Sequence, residues 1–247
     1  MHTEHHKWHS ERLSRDMELV VYGHYGKPII IFPTQGGRYH ESEDYGIIGV
    51  LAPFINDGKI KIIAPDSIDY EAWAHPSADV NHRSYWGSQY EGYITHEVVP
   101  FIHTNCNNNN ICIATTGFSM GAYHAANFFF KHPFVFDTVV AISGMYDLKP
   151  LIGNFQDDAI YFNSPLFYLR NLEDPTVLNQ LRKNQIIIAT GQGKWEEEAV
   201  ADTHEMKRIL EHKAIPARID FWGHDVDHDW IWWRKMIPYY IDQLNFE

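Results

Sequence analysis

ICIATTGFSMGAYHAANFFF, residues 111–130, decides how the rest of the chain is read. A short apolar run, Ile111–Thr116, meets Gly117-Phe118-Ser119-Met120-Gly121, and a run of small and aromatic residues with helical character follows. G-x-S-x-G between a strand and a helix is the pattern of a sharp turn that lifts a serine hydroxyl above a sheet edge. The glycines are required because the serine backbone is strained and strand and helix must close on each other. Ser119 is therefore the candidate nucleophile, and an ordinary strand-to-helix turn is the alternative use of the same residues.

Outward from this stretch, the remaining pattern alternates strands with helices. On its N-terminal side, residues 6–13 and 16–22 read as two strands joined by a tight turn, and so antiparallel. Lys27–Phe32 is a near-continuous apolar run, the mark of a central strand covered on both faces. It ends in Pro33-Thr34-Gln35-Gly36-Gly37. A helix is expected over 42–56, a strand over Lys59–Ala64, a long loop over 65–76 and a helix over 83–104. On the C-terminal side, strands are expected at Asp137–Ser143, Gln185–Thr190 and Ala217–Trp222. Helices are expected at Glu196–Lys213 and 229–244. Residues 147–181 contain Pro150, Pro165 and Pro175 and lack a clean period, so they read as an irregular excursion with short helices near the site. The class is α/β: a mostly parallel sheet with helices on both faces and an N-terminal antiparallel hairpin, in a single domain over 1–247.

Composition narrows the function. The 247 residues are 45% hydrophobic and 15% aromatic, enough to bury a large core. The formal charge is −12, with no basic run, which argues against nucleic acid and anionic membranes as partners. No apolar run reaches transmembrane length. Cys106 and Cys112 flank the Asn107–Asn110 turn and read as two free thiols. The start, MHTEHHKWHS, lacks the apolar segment of a signal peptide, so the cytoplasm is the expected location. Its His2, His5, His6 and His9 read as a solvated, partly frayed beginning and not as a metal site.

A serine hydroxyl is a weak nucleophile at neutral pH. It needs a histidine base, and the histidine needs a carboxylate to fix its tautomer. In this architecture the partners follow in the order Ser, acid, His, each on a loop after a later strand. The loop after Ala217–Trp222 offers His224 and His228, and His228, at the mouth of the last helix, is the better placed. After Gln185–Thr190 come Glu196, Glu197, Glu198 and Asp202. Glu196 is first past the loop and Glu197 is the runner-up, while acids in a first helical turn also simply complement the helix dipole. Trp195, beside Glu196, could shield the site. The tetrahedral oxyanion needs two donors. One is the backbone N–H of Met120. The other comes from the Pro33–Gly37 loop, where Pro33 has no N–H; Gln35 is the choice and Thr34 stands behind it. Trp73, Tyr85, Trp86 and His75 lie on or near loops at the same edge, where pocket lining competes with packing and loop hydrogen bonds. Neither a metal nor another cofactor is called for.

The Pro33–Gly37 loop, the Gly117–Gly121 turn and His228-Asp229-Trp230 followed by Trp233 resemble the esterase D-like ("putative esterase") family of α/β-hydrolases. The likeness runs from Pro28 to Tyr240. It implies the α/β-hydrolase fold, a Ser119 nucleophile, a His228 base, an acid near Glu196, and ester hydrolysis or acyl transfer without a cofactor. One departure is that many members carry Asp where this chain first offers Glu. The expected substrate is a small-molecule ester, and homo-oligomerisation is left open. Two other readings compete with the serine carboxylesterase: an acyltransferase with the same triad, and a non-catalytic binding module on the same fold. Such modules usually lack a triad member, and none is evidently missing here.

Overall fold

The structure is a computed structural model and describes residues 1–148 and 158–246. Eight strands form one sheet in the order β1-β2-β4-β3-β5-β6-β7-β8. They are β1 Thr3–Ser10, β2 Arg15–Tyr22, β3 Lys27–Phe32, β4 Ile60–Pro65, β5 Ile113–Phe118, β6 Phe136–Ile142, β7 Gln185–Thr190 and β8 Arg218–Phe221. β1 and β2 form the antiparallel hairpin, β2 is antiparallel to β4, and every later pairing is parallel.

Period-2 alternation divides the apolar strand residues between two cores. Ile30 and Phe32 point to one face and Ile29 and Ile31 to the other. Against the first face pack α3 (Val80–Tyr93), α4 (Val99–Asn105), α5 (Met120–Lys131) and α9 (Glu197–His212). Against the second pack α2 (Ile47–Asn56) and the last helix, α10 (Trp230–Ile241). Between them in the chain come the short helices α6 (Asp158–Tyr161), α7 (Pro165–Tyr168) and α8 (Pro175–Leu181).

Several elements depart from the sequence expectation for identifiable reasons. The single helix expected over 42–56 is broken: α1 spans only Glu41–Asp44, and Gly46 at φ +79° separates it from α2. The 83–104 helix is continuous but contains a π-helical turn at Ile94–Val98 joining α3 to α4. The frayed start is instead an edge strand. β1 pairs with β2 along its length, Trp8 stacks on Phe101 and its indole N–H donates to Glu97 at 2.8 Å. Glu4 sits between His2 and His6, bonded to both. Cys106 and Cys112 are free thiols. In the irregular 147–181 excursion, residues 149–157 lie outside the described residues; the rest holds α6, α7 and α8. Among the described residues no helix is long and apolar enough to cross a membrane.

Candidate active site

Ser119 lies between β5 and α5 with φ +54° and ψ −123°, a conformation that L-residues rarely adopt. Two glycines permit it. A Cβ on Gly117 would overlap the backbone of Gly121, and one on Gly121 would overlap the carbonyls of Phe32 and Pro33. The elbow is thus pressed against the end of β3, whose Phe32 is in register with Gly117. The Ser119 N–H donates to the Ile142 carbonyl at 3.1 Å, which ties the elbow to β6 as well.

The candidate acids differ in their bonds. Glu196, at the N-cap of α9, is fully buried. Its Oε1 accepts from the Ser143 hydroxyl at 2.5 Å and the Gly191 N–H at 3.3 Å. Its Oε2 lies 3.1 Å from both the Thr190 hydroxyl and His228 Nδ1. A buried carboxylate is costly unless bonded on both oxygens, and this one is. Trp195, at φ +68°, makes the turn that carries Glu196 inward, while its own side chain is 79% exposed. The indole expected to shield the site is instead open to solvent. Glu197 and Glu198 are exposed in the first turn of α9, where they complement the helix dipole. Asp202 faces elsewhere and accepts the N–H groups of Tyr146 and Asp147 at 2.6 and 3.0 Å. Burial pushes its carboxyl up to about 6.

His228 is held by two laced loops. Its N–H donates to the Lys194 carbonyl, Gly193 N–H to the Val226 carbonyl, and Lys194 N–H to Asp227 Oδ1. With Nδ1 bonded to Glu196, the remaining ring nitrogen is Nε2. His224 is exposed. Trp233 joins the parts: its ring stacks on Phe118, next to the elbow serine, at 5.2 Å and meets the His228 ring edge-on at 4.9 Å. Its indole N–H donates to Ser143 Oγ at 3.1 Å, the hydroxyl that in turn donates to Glu196. Ser143, like Ser119, has a positive φ (+56°) directly past its strand. Sequence reasoning missed Ser143 and Thr190 as partners of the acid. Their signal was position: Ser143 stands directly past β6, between the strands that lead to Ser119 and to Glu196, and Thr190 is the last residue of the strand that leads to Glu196.

The oxyanion-side loop is a tight turn. Gly37 N–H donates to the Thr34 carbonyl at 2.9 Å and Gly36 has φ +73°, the positive value that the third residue of a type II turn requires. The Thr34 N–H and hydroxyl both donate to Glu41, each at 2.7 Å. Burial raises the Glu41 carboxyl above the usual range, opposed by these Thr34 bonds. Among the described residues Gln35 N–H has no partner, and Met120 N–H, at the first position of α5, has none within its helix. Of the aromatics at this edge, Trp73 is core, Tyr85 is exposed, and His75 accepts the Ser77 and Ala78 N–H groups. Among the described residues no group of three metal-binding side chains occurs.

Comparison with known proteins identifies the family and the fold. The profile of the family described as "Putative esterase" matches residues 10–240. A ferulic acid esterase structure superposes with a TM-score of 0.75 at 15% identity, over 97% of this chain and 95% of that one. An S-formylglutathione hydrolase from Staphylococcus aureus gives 0.70 at 19%, over 98% and 96%. MPT51 from Mycobacterium tuberculosis gives 0.74 at 12%, over 98% and 97%. No curated protein matches by sequence. The chain belongs to the "Putative esterase" family of ester hydrolases and has the α/β-hydrolase fold.

Proposed function

We propose that the protein hydrolyses small carboxylic esters through an acyl-enzyme on Ser119. His228 Nε2 takes the Ser119 proton as Oγ attacks the ester carbonyl. Glu196 accepts from Nδ1, fixes the tautomer and stabilises the imidazolium that forms. The oxyanion of the tetrahedral intermediate accepts from Met120 N–H and Gln35 N–H. Thr34 N–H is engaged by Glu41, which favours Gln35 over Thr34 as the loop donor. Collapse expels the alcohol, which takes the proton from His228. Water, deprotonated by His228, then attacks the acyl carbonyl and frees Ser119 and the acid.

The observation that carries this reading is the bond between the buried Glu196 and the half-buried His228, joined through Trp233 to the strained Ser119 elbow. The test is hydrolysis of p-nitrophenyl esters of rising chain length by the wild type and by Ser119→Ala, His228→Ala, Glu196→Gln and Glu197→Gln. Full activity in Ser119→Ala overturns the mechanism. Full activity in Glu196→Gln with loss in Glu197→Gln moves the acid by one residue.

A further inference from the structure

We infer that Glu41 is a positioning residue that clamps the oxyanion loop and selects which of its amides faces the substrate. The inference rests on the esterase reading above. Glu41 opens α1, and in sequence it is one of three acids there with Glu43 and Asp44. It differs from them in being buried, at 9% exposure. Its carboxylate turns back onto the loop that precedes it and accepts from Thr34 twice, through backbone N–H and through hydroxyl. Removing the Thr34 N–H from play fixes the orientation of the Thr34 peptide. The turn closed by Gly37 N–H then carries Gln35 N–H with it.

Gly37 supplies a second observation. A Cβ there would overlap the Glu41 carboxylate, so the glycine is where the carboxylate passes the loop. Gly36 is packed equally closely, against the Tyr70 ring. The loop is thus held from two sides, by Glu41 on its inner face and by Tyr70 on Gly36. The groups that face Glu41 are Thr34, His40 on its own element and the buried Asp69 on the loop after β4. Asp69 is itself bonded to His124 of α5 at 2.7 Å, so the clamp abuts the helix that bears the elbow. A preorganised donor contributes only while it is aimed at the developing oxyanion, so loosening this turn acts on the transition state and not on ground-state binding.

The experiment compares wild type, Glu41→Ala, Glu41→Gln and Gly37→Ala on a p-nitrophenyl ester, with Ser119→Ala in parallel. Misaiming one of two oxyanion donors predicts a fall in kcat of about 30- to 100-fold in Glu41→Ala, with KM within about 3-fold. Gly37→Ala, which displaces the carboxylate from the other side, gives the same kcat-selective loss. Glu41→Gln keeps an acceptor for Thr34 N–H and stays within about 3-fold of wild type. Affinity for a trifluoromethyl ketone, which forms an oxyanion on Ser119, falls in step with kcat, a correlation that simple loss of folded protein does not produce. Amide exchange at Thr34, read by NMR, is slow in wild type and Glu41→Gln and fast in Glu41→Ala. Unchanged kcat in Glu41→Ala or Gly37→Ala, a kcat loss without loss of ketone affinity, or fast Thr34 exchange in wild type each overturns the clamp. A wild type whose ester hydrolysis survives Ser119→Ala overturns the mechanism instead, and the Thr34 exchange result still decides the clamp.

Discussion

Two buried glutamates stand at the same end of the sheet, and they differ in what they hold. Glu196 holds a side chain: His228, through one oxygen, with Ser143, Thr190 and Gly191 satisfying the rest. Glu41 holds a stretch of backbone: the Thr34 amide and hydroxyl, and through them a turn. In the proposed mechanism the first stabilises a charge that comes and goes on an imidazole, and in the proposed clamp the second serves a donor that must not move. A carboxylate suits both tasks because its two oxygens accept several bonds in fixed directions. The contrast teaches that burial of an acid at an active edge does not by itself identify the catalytic one. The partner does.

Experiments can break or sharpen this contrast. The largest effect is shared by both arms: Ser119→Ala lowers kcat/KM by more than about 10⁴-fold, measured on p-nitrophenyl acetate, because the covalent step is gone. Next is the acid itself. Glu196→Gln lowers kcat by about 10³- to 10⁴-fold through loss of the tautomer-fixing charge, while exposed Glu197→Gln stays within about 2-fold. Equal losses in the two variants would erase the distinction between a buried bonded acid and a dipole-complementing one.

A smaller effect is expected at Ser143. Ser143→Ala removes a donor to Glu196 and the acceptor of the Trp233 indole, lowering kcat by about 10-fold and stability by about 1–3 kcal/mol in urea unfolding. An unchanged kcat would show that Thr190, Gly191 and His228 alone orient the acid.

The smallest catalytic effect belongs to Asp202, a half-buried carboxylate on the same helix as Glu197. Its carboxyl is raised to about 6 from an ordinary 3.8 by burial, so the folded chain holds a proton there that the unfolded chain releases. Stability from this group is therefore gained as pH falls from above 6 towards 4, and at neutral pH the ionised form is the costly one. Relative to Asp202→Asn, the wild type gains about 2–3 kcal/mol between pH 8 and pH 4 in denaturant titrations. At pH 8 the variant keeps kcat within about 2-fold, since Asn still accepts from Tyr146 and Asp147. A flat difference across pH, or a large kcat loss, would move Asp202 into the company of the other two.

Much of the frame was legible because its signals are local. Gln185–Thr190 is a strand over the expected residues, since a fully buried parallel strand writes a continuous apolar run. The elbow was readable because only glycines fit where β5, α5 and β3 meet. Glu196 was readable as far as chain order goes, but its separation from Glu197 depended on a turn at Trp195, and a tryptophan at positive φ has no sequence signature. Glu41 was not legible at all. An acid at the start of a helix is ordinary, and only the chain folding back over Thr34 makes this one different. Gly46 broke the expected 42–56 helix because a left-handed glycine ends one helix and starts another without disturbing the apolar spacing. The histidine-rich start resisted reading for a similar reason: its alternation is hidden by histidines on both faces of β1.

That first strand has a consequence beyond folding. β1 is an edge strand of eight residues, so the backbone N–H and C=O groups of its alternate residues, those not bonded to β2, line an open sheet edge. An edge of this length is a template on which another chain can add itself as a further strand. Its exposed face carries His5, Lys7 and His9. A charged side chain on an edge strand discourages such addition, and Lys7 places one there, at the far side of the sheet from His228.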